Sequence, residues 1–363
     1  MYRYFMPVEF YFGENIVQFQ AQKMAKFGTK CFLVTGRYSA RKCGALDDVI
    51  STLDRLKIGY ELFEEIPENP DLNIIISGAE KMRNSQCDFL IGIGGGSPLD
   101  AAKAISLLAK NNENPAQLYH PNLFTEAFPV VAIPTTSGTG TEVTPYSVIT
   151  NSETGIKAGI GSPLLFPKLA FLSPNYTKTL PFHVTRDTAI DALSHLLEGI
   201  YSKTRNPLNL PIIYKGIELI YQYLNPCLQN PEDFFFREQL MTASLFGGIT
   251  IAQSGTTLQH SIGYPLTTQM GLSHGYANGI VMKHIMELYS PAIQSELDSL
   301  FSYLKCDKTK FYDWLSRFDF KLPMKMSEEF LANHVQEVLS SKNMALNPIN
   351  VTGEQIRKIY LSL

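Results

Sequence analysis

Sulfur chemistry has little to draw on in this chain. Its five cysteines, Cys31, Cys43, Cys87, Cys227 and Cys306, are scattered and odd in number, and no CxxC occurs. A disulfide framework is therefore not expected, and a reducing cytoplasm is. Long apolar runs are missing too: those present are short and broken by charge, so none could span a bilayer. The stretch from Met1 to Pro7 has no apolar leader core and no cleavage site, which again points to the cytoplasm. No basic block is present and the net charge is −3, so neither nucleic acid nor an anionic membrane surface is an expected partner. Internal repeats and low-complexity tracts are absent.

What is present is an ordinary globular composition, 45% hydrophobic and 18% charged over 363 residues, enough for two domains. The first half alternates short β-prone runs with helical patterns. Strands are expected at Lys30–Thr35, Tyr60–Glu64, Asp88–Ile93, Pro129–Ile133, Tyr146–Thr150 and Leu169–Leu172. Helices are expected between them, at Cys43–Leu56, Asn73–Arg83 and Pro98–Lys110. That alternation predicts an α/β domain with a mainly parallel sheet. From about Arg186 the pattern turns helical, over Asp187–Tyr201, Leu208–Leu224, Phe234–Ala252, Ala277–Tyr289 and Ser327–Leu339. The expected division is an α/β dinucleotide-binding domain over 1–178 and an all-α, metal-binding domain over 179–363. Its boundary falls in the Pro- and Thr-containing connector Pro174–Pro181.

Only seven histidines occur, and three of them fall in two short segments. Asp191-Ala-Leu-Ser-His195 spaces two donor side chains i, i+4, on one face of a helix. His260 and His274 flank a turn-like stretch, Thr267–Gly271. Three imidazoles and one carboxylate complete the ligand set of a first-row divalent ion. Any one of these histidines alone reads as a core or helix-cap residue; the four together read as a metal site. Glu198, one turn past His195, reads either as support for a ligand or as a plain helix charge. His183 reads as a connector residue, and His284 as a helix residue that could face the site.

Two loops suit a nucleotide. Gly94-Gly95-Gly96-Ser97-Pro98 follows an apolar strand and opens a helix, with Ser97 expected as N-cap and Pro98 as first helical residue. Free N–H groups there would hold a pyrophosphate. It is not the GxGxxG fingerprint, because counting from Gly92 the sixth place is Ser97. The second loop, Pro134-Thr-Thr-Ser-Gly-Thr-Gly-Thr-Glu142, is dense in hydroxyls that can line ribose and phosphate.

Together these residues resemble the iron-containing (group III) alcohol dehydrogenase family. The resemblance is carried by GGGSxxD at Gly94–Asp100, PTTxGTGxE at Pro134–Glu142, DALxH at Asp191–His195, and H-x13-H at His260 and His274. It runs essentially end to end. It implies a dehydroquinate synthase-like architecture with the metal in the cleft between the two domains. It implies Asp191, His195, His260 and His274 as ligands of Fe²⁺, with Zn²⁺ as an alternative. It implies a pyrophosphate contact by Gly94, Gly95, Gly96 and Ser97, cofactor contacts by Thr135, Thr136, Thr139, Lys157 and Leu172, and an Asp100 contact on the nicotinamide side that makes this residue a catalytic candidate. The implied reaction is reversible hydride transfer between a small alcohol and its aldehyde, and a homodimer is a family-based expectation.

The chain departs from the family in three places. Tyr264 stands where many members carry a second His one turn after the third ligand, which makes it a catalytic candidate of a different kind. Val34-Thr35-Gly36-Arg37 lacks the Asp that bonds the adenosine ribose, so Gly36 and Arg37 are expected to admit a 2′-phosphate and favour NADP over NAD. Ser173 replaces the Asp that precedes the connector Pro. A lyase of the dehydroquinate synthase type would need several cations in the helical domain, yet no Lys or Arg lies between Thr256 and Asn278. A glycerol dehydrogenase-like polyol oxidoreductase and a non-catalytic metal-bound NAD(P) sensor are the remaining alternatives.

Overall fold

The computed structural model describes residues 3–111, 113–151, 153, 157–323 and 325–363. Six strands form one parallel sheet: β1 (Glu9–Phe12), β2 (Lys30–Thr35), β3 (Gly59–Phe63), β4 (Phe89–Gly94), β5 (Val130–Pro134) and β8 (Leu169–Leu172). Their order is β1-β8-β5-β4-β2-β3. Alternation within β2 shows why it is buried on both faces. Cys31 and Leu33 pack with helix α1 (Ala45–Leu56), through its Leu46, Val49 and Leu53. Phe32 and Val34 pack with α2 (Leu72–Ser85) and α3 (Gly96–Lys110), through Ile75, Ala79, Ala101 and Ile105. This is the doubly wound α/β arrangement predicted from the strand–helix alternation. In such sheets ligands gather at the carboxyl ends of the strands, where the order reverses. Here β4 lies between β5 on one side and β2 on the other.

Three features differ from the sequence reading. Tyr146–Thr150 is a strand (β6), but it pairs antiparallel with β7 (Lys157–Gly161) in a separate two-stranded sheet. β7 has two glycines in five residues and β1 is a four-residue edge strand paired only to β8, so neither carries a strong pattern. The turn-like Thr267–Gly271 stretch is the end of a helix, and only Gly271 leaves it, in the left-handed conformation.

Beyond three four-residue helices (Ile16–Phe19, Gln22–Ala25 and Ser39–Lys42), the remaining helices are α4 (Phe182–Tyr201), α5 (Leu210–Gln229), α6 (Phe234–Ser254), α7 (Leu258–Met270), α8 (His274–Leu304), α9 (Lys308–Ser316), α10 (Glu328–Leu339) and α11 (Gly353–Ser362). None among the described residues is long and apolar enough to cross a membrane. The chain divides into an α/β unit, Met6–Pro181 with Gln229–Met241, and a helical unit, Phe182–Leu228 with Thr242–Leu363 and Met1–Phe5. The main break thus falls at 181/182 rather than 178/179. Two segments also belong to the unit opposite to the one their place in the chain suggests.

Candidate metal centre and nucleotide loops

Helix α4 is buried on nearly every side from Ala189 to Tyr201, which puts Asp191 and His195 in a dry environment one turn apart. Helix α7 supplies His260 and the first residue of α8 supplies His274. One ligand atom each from Asp191, His195 and His260 lies within 4.8 Å of the others, and all three residues are buried. His274 Nε2 and His260 Nε2 each stand 3.7 Å from Asp191 Oδ1. Ligand atoms held about 2.1 Å from a common tetrahedral centre are about 3.4 Å apart, so this spacing fits a first-row divalent ion with little adjustment. The His195 and His260 rings stack, with centroids 4.8 Å apart.

A positively polarised group already sits among these acceptors. Asn278 Nδ2 donates to Asp191 Oδ1 at 2.9 Å and lies 3.3 Å from His260 Nε2 and 3.4 Å from His274 Nε2. Burial alone would raise Asp191. The neighbouring His195, His274 and His260, with the Asn278 amide, outweigh it and hold the carboxyl below the usual carboxylate range. An anionic oxygen facing imidazole nitrogens is the electrostatics a cation needs.

Glu198 resolves in favour of ligand support. It is fully buried, and its Oε2 bonds His260 Nδ1. Its Oε1 accepts from Thr257 N at 2.6 Å and Thr257 Oγ1 at 2.8 Å. Burial would raise this carboxyl too, but the His260 imidazole and the Thr257 hydrogen bonds hold it below the usual range. An ionised carboxylate can only accept, so the proton sits on Nδ1 and the Nε2 lone pair faces the site. Asn278, i+4 from His274, was not anticipated; that spacing on an apolar helix was the only signal for it. Tyr264 stacks its ring on His274, with centroids 5.5 Å apart and 11° between planes. His183 is exposed, and His284 Nδ1 lies 3.3 Å from Ser362 Oγ near the C-terminus.

In the α/β unit the two expected loops meet. Gly94 has φ +150°, and a Cβ on Gly96 would come within 2.9 Å of Thr139 Cγ2, so the turn is closed against the hydroxyl-rich loop. Thr136 and Thr139 are half-buried, and Thr135 N donates to Gly94 O at 2.9 Å. The first N–H groups of α3 have no partner within their own helix, so this turn can cradle an anion. Gly36 and the exposed Arg37 follow β2, whose end lies beside that of β4.

One expectation is corrected here, and two more residues are placed. Ser97 is not the N-cap: α3 begins at Gly96, Gly95 caps it without a side chain, and Ser97 Oγ accepts from Asn69 N at 3.1 Å. Asp100 is buried and both its oxygens are taken. Oδ1 accepts from Thr141 Oγ1 at 2.5 Å and Oδ2 from Val148 N at 2.9 Å. It anchors the 141–148 segment. Leu172 is fully buried in β8 and its carbonyl accepts from Gly13 N, so its side chain is core.

Two further residues escaped the sequence reading. Asn69, left-handed at φ +52° before Pro70, bridges the loops: its N–H reaches Ser97 and its Oδ1 accepts from Lys157 Nζ at 2.8 Å. The Asn-Pro dipeptide was its only signal. Lys103, fully buried, donates to Thr141 O and Oγ1, Thr144 O and Tyr146 O. It is the countercharge for Asp100 and Glu142.

Residues 7–174 match the iron-containing alcohol dehydrogenase family model, and residues 185–363 match that of the C-terminal part of the Fe-containing alcohol dehydrogenase family. The NADPH-dependent butanol dehydrogenase of Clostridium saccharobutylicum is 30% identical over 298 residues, 80% of this chain and 74% of that one. The NAD-dependent methanol dehydrogenase of Bacillus methanolicus is 29% identical over 286 residues, 78% of this chain and 75% of that one. The crystal structure of an iron-containing alcohol dehydrogenase from Thermotoga maritima has a TM-score of 0.92 at 36% identity, with 100% of each chain covered. With the two family models matching over 7–174 and 185–363, nearly its whole length, the chain belongs to the iron-containing alcohol dehydrogenase family.

Proposed function

We propose that this oxidoreductase transfers hydride reversibly between a small primary alcohol, or its aldehyde, and NADP, using Fe²⁺ or Zn²⁺ held by Asp191, His195, His260 and His274. The observation that carries the reading is the convergence of Asp191 Oδ1 with the Nε2 atoms of His260 and His274 at 3.7 Å. When bound, the ion supplies Lewis acidity that lowers the pKa of an alcohol hydroxyl and polarises an aldehyde carbonyl, and the nicotinamide supplies the hydride acceptor.

The chain's own residues do the rest. Glu198 holds His260 in the tautomer whose Nε2 can ligate. Asp191 brings the one negative charge of the set into a buried site. The Gly94–Gly96 turn and Thr136 and Thr139 receive the cofactor's phosphates and ribose, and Asn69 ties Ser97 to Lys157 so that both sides of that loop keep their places. NADP is favoured because Gly36-Arg37 offers an exposed guanidinium and no carboxylate against a 2′-phosphate. Relatives named for NADPH and for NAD both occur, so the nucleotide preference rests on these two residues.

The test is turnover of protein loaded anaerobically with Fe²⁺ or Zn²⁺, on a panel of primary alcohols and aldehydes, with NADP⁺ and NAD⁺ compared. Alcohol-dependent NADPH formation is expected, lost in His195→Ala. Absence of turnover with every substrate in metal-loaded, nucleotide-binding protein would overturn the reading, and tighter binding of NAD⁺ would overturn its NADP part.

A further inference from the structure

Of the four ligands, His274 is the odd one. Asp191, His195 and His260 are buried within one compact group, whereas the His274 side chain keeps 24% of its surface exposed and opens a new helix. Ser273, the N-cap, makes no side-chain cap of that first turn, which its own helix holds through Ala277 N to Ser273 O at 2.9 Å and through Asn278 Nδ2, 3.4 Å from His274 Nε2. Besides Asp191 Oδ1 and the His260 ring, residues outside the ligand set reach it from other elements. The Tyr264 ring lies parallel to the imidazole at 5.5 Å. Ser273 Oγ donates to Asp187 Oδ2 at 2.5 Å.

Asp187 is itself held. It is buried, and Arg186 Nε donates to its Oδ1 at 2.7 Å. The Arg186 guanidinium lies over the Tyr276 and Phe320 rings, 5.0 and 5.3 Å from their centroids. A Cβ on Gly275 would stand 1.8 Å from the Asp187 carbonyl oxygen, so the first turn of α8 is pressed onto α4 at this residue. Asp187 and Asp191 are i, i+4 on α4. One receives the N-cap of α8, and the other faces the imidazole that follows it. A carboxylate there also suits the positive end of a helix dipole.

We propose that Tyr264 and Asp187 are positioning residues for the fourth ligand. The Tyr264 ring orients the His274 imidazole, and the Ser273–Asp187 bond sets where its backbone begins. The Tyr264 hydroxyl then has no part in metal binding, and the aromatic face is what this position contributes. Misplacing a ligand that three others cannot compensate costs affinity on the scale of losing an outer hydrogen-bond partner, about 10–100-fold. The proposal rests on His274 being a ligand, as in the function proposed above.

The experiment titrates metal-free protein anaerobically with Co²⁺, reading its visible ligand-field bands, with a chelator competition for affinity. Wild type is expected to bind one Co²⁺ with bands of a four-coordinate site. Tyr264→Phe should match it in spectrum and stay within about twofold in affinity. Tyr264→Leu and Ser273→Ala should each weaken Co²⁺ about tenfold or more, with altered bands, while the thermal midpoint of the metal-free protein stays close to wild type. Asp187→Asn should do the same; if it fails to fold, Ser273→Ala still decides that arm. Wild-type affinity and spectrum in Tyr264→Leu and Ser273→Ala would overturn the proposal, as would equal losses in Tyr264→Phe and Tyr264→Leu. The metal reading fails separately, if wild type shows no such bands or His274→Ala leaves them unchanged.

Discussion

Replacing Glu198 by Gln changes no shape and one charge, and its consequence can be worked through atom by atom. The carboxylate accepts at Oε1 from Thr257 N and Oγ1, and at Oε2 from His260 Nδ1. Gln has one acceptor oxygen. The two Thr257 donors claim it, and the amide NH₂ is left facing His260 Nδ1. Two donors cannot share that contact, so the imidazole moves its proton to Nε2 and loses the lone pair that faces Asp191. The expected cost is about 10–100-fold in metal affinity, or roughly 1.4–2.7 kcal/mol. Exchanging a charge-assisted bond for a neutral one should also cost the metal-free fold roughly 1–1.5 kcal/mol, which leaves the protein folded. Chelator competition with Zn²⁺ at pH 7, beside thermal denaturation of the metal-free protein, reads both numbers. The sign of the pH effect follows from the lowered Glu198 carboxyl. A depressed carboxyl stabilises the fold above its unfolded value of about 4.3 and loses that contribution as pH falls through its folded value. Glu198→Gln should therefore flatten the acid limb of the metal-free stability curve. Folded Glu198→Gln protein with wild-type Zn²⁺ affinity would refute the tautomer argument.

Lys103→Met strips the cation from a buried cluster that includes Asp100 and Glu142, so it should destabilise the chain by about 3–5 kcal/mol in urea denaturation; an unchanged midpoint would show that the carboxyls are neutral. Burial, only partly offset by Lys103, pushes Glu142 up to about 7. A carboxyl raised in the fold costs stability as pH rises from its unfolded value, about 4.3, to about 7, so Glu142→Gln should gain over wild type across that window in pH-dependent unfolding. Gly96→Val puts carbon where Thr139 Cγ2 already lies at 2.9 Å; NADP⁺ binding by calorimetry should fall at least about tenfold, a loss of about 1.4 kcal/mol, with Zn²⁺ affinity retained. Arg37→Ala should weaken NADP⁺ by about 1.5–3 kcal/mol, the range for a charged hydrogen bond, and leave NAD⁺ nearly untouched. Equal losses for both nucleotides would mean that Arg37 does not meet the 2′-phosphate.

How far the chain could be read in advance depended on the distance over which each residue's job is decided. Asp191 and His195 were legible because one buried helix fixes their relation, and β2 and β8 because continuous apolar runs mark strands covered on both faces. Helix α7 was misread in part because Gly263, Pro265 and the Thr267-Thr268 pair look like breakers. The helix runs on through them, and the threonine hydroxyls turn back onto it: Thr267 Oγ1 donates to Gly263 O at 3.0 Å and Thr268 Oγ1 to Tyr264 O at 3.2 Å. Ser97 was misassigned for the opposite reason. It has every local mark of an N-cap, yet a partner 28 residues earlier, Asn69, takes its oxygen. Ser273 is the same case in the helical unit. It sits before a helix as an ordinary cap would, and its hydroxyl goes to Asp187, 86 residues away. Donor atoms of a metal site must be of particular types, and type is visible in a sequence. The residues that aim those donors need only reach them, so Asn278 and Asp187 could be recognised, and Glu198 decided between its two readings, only once the helices that carry them were packed together.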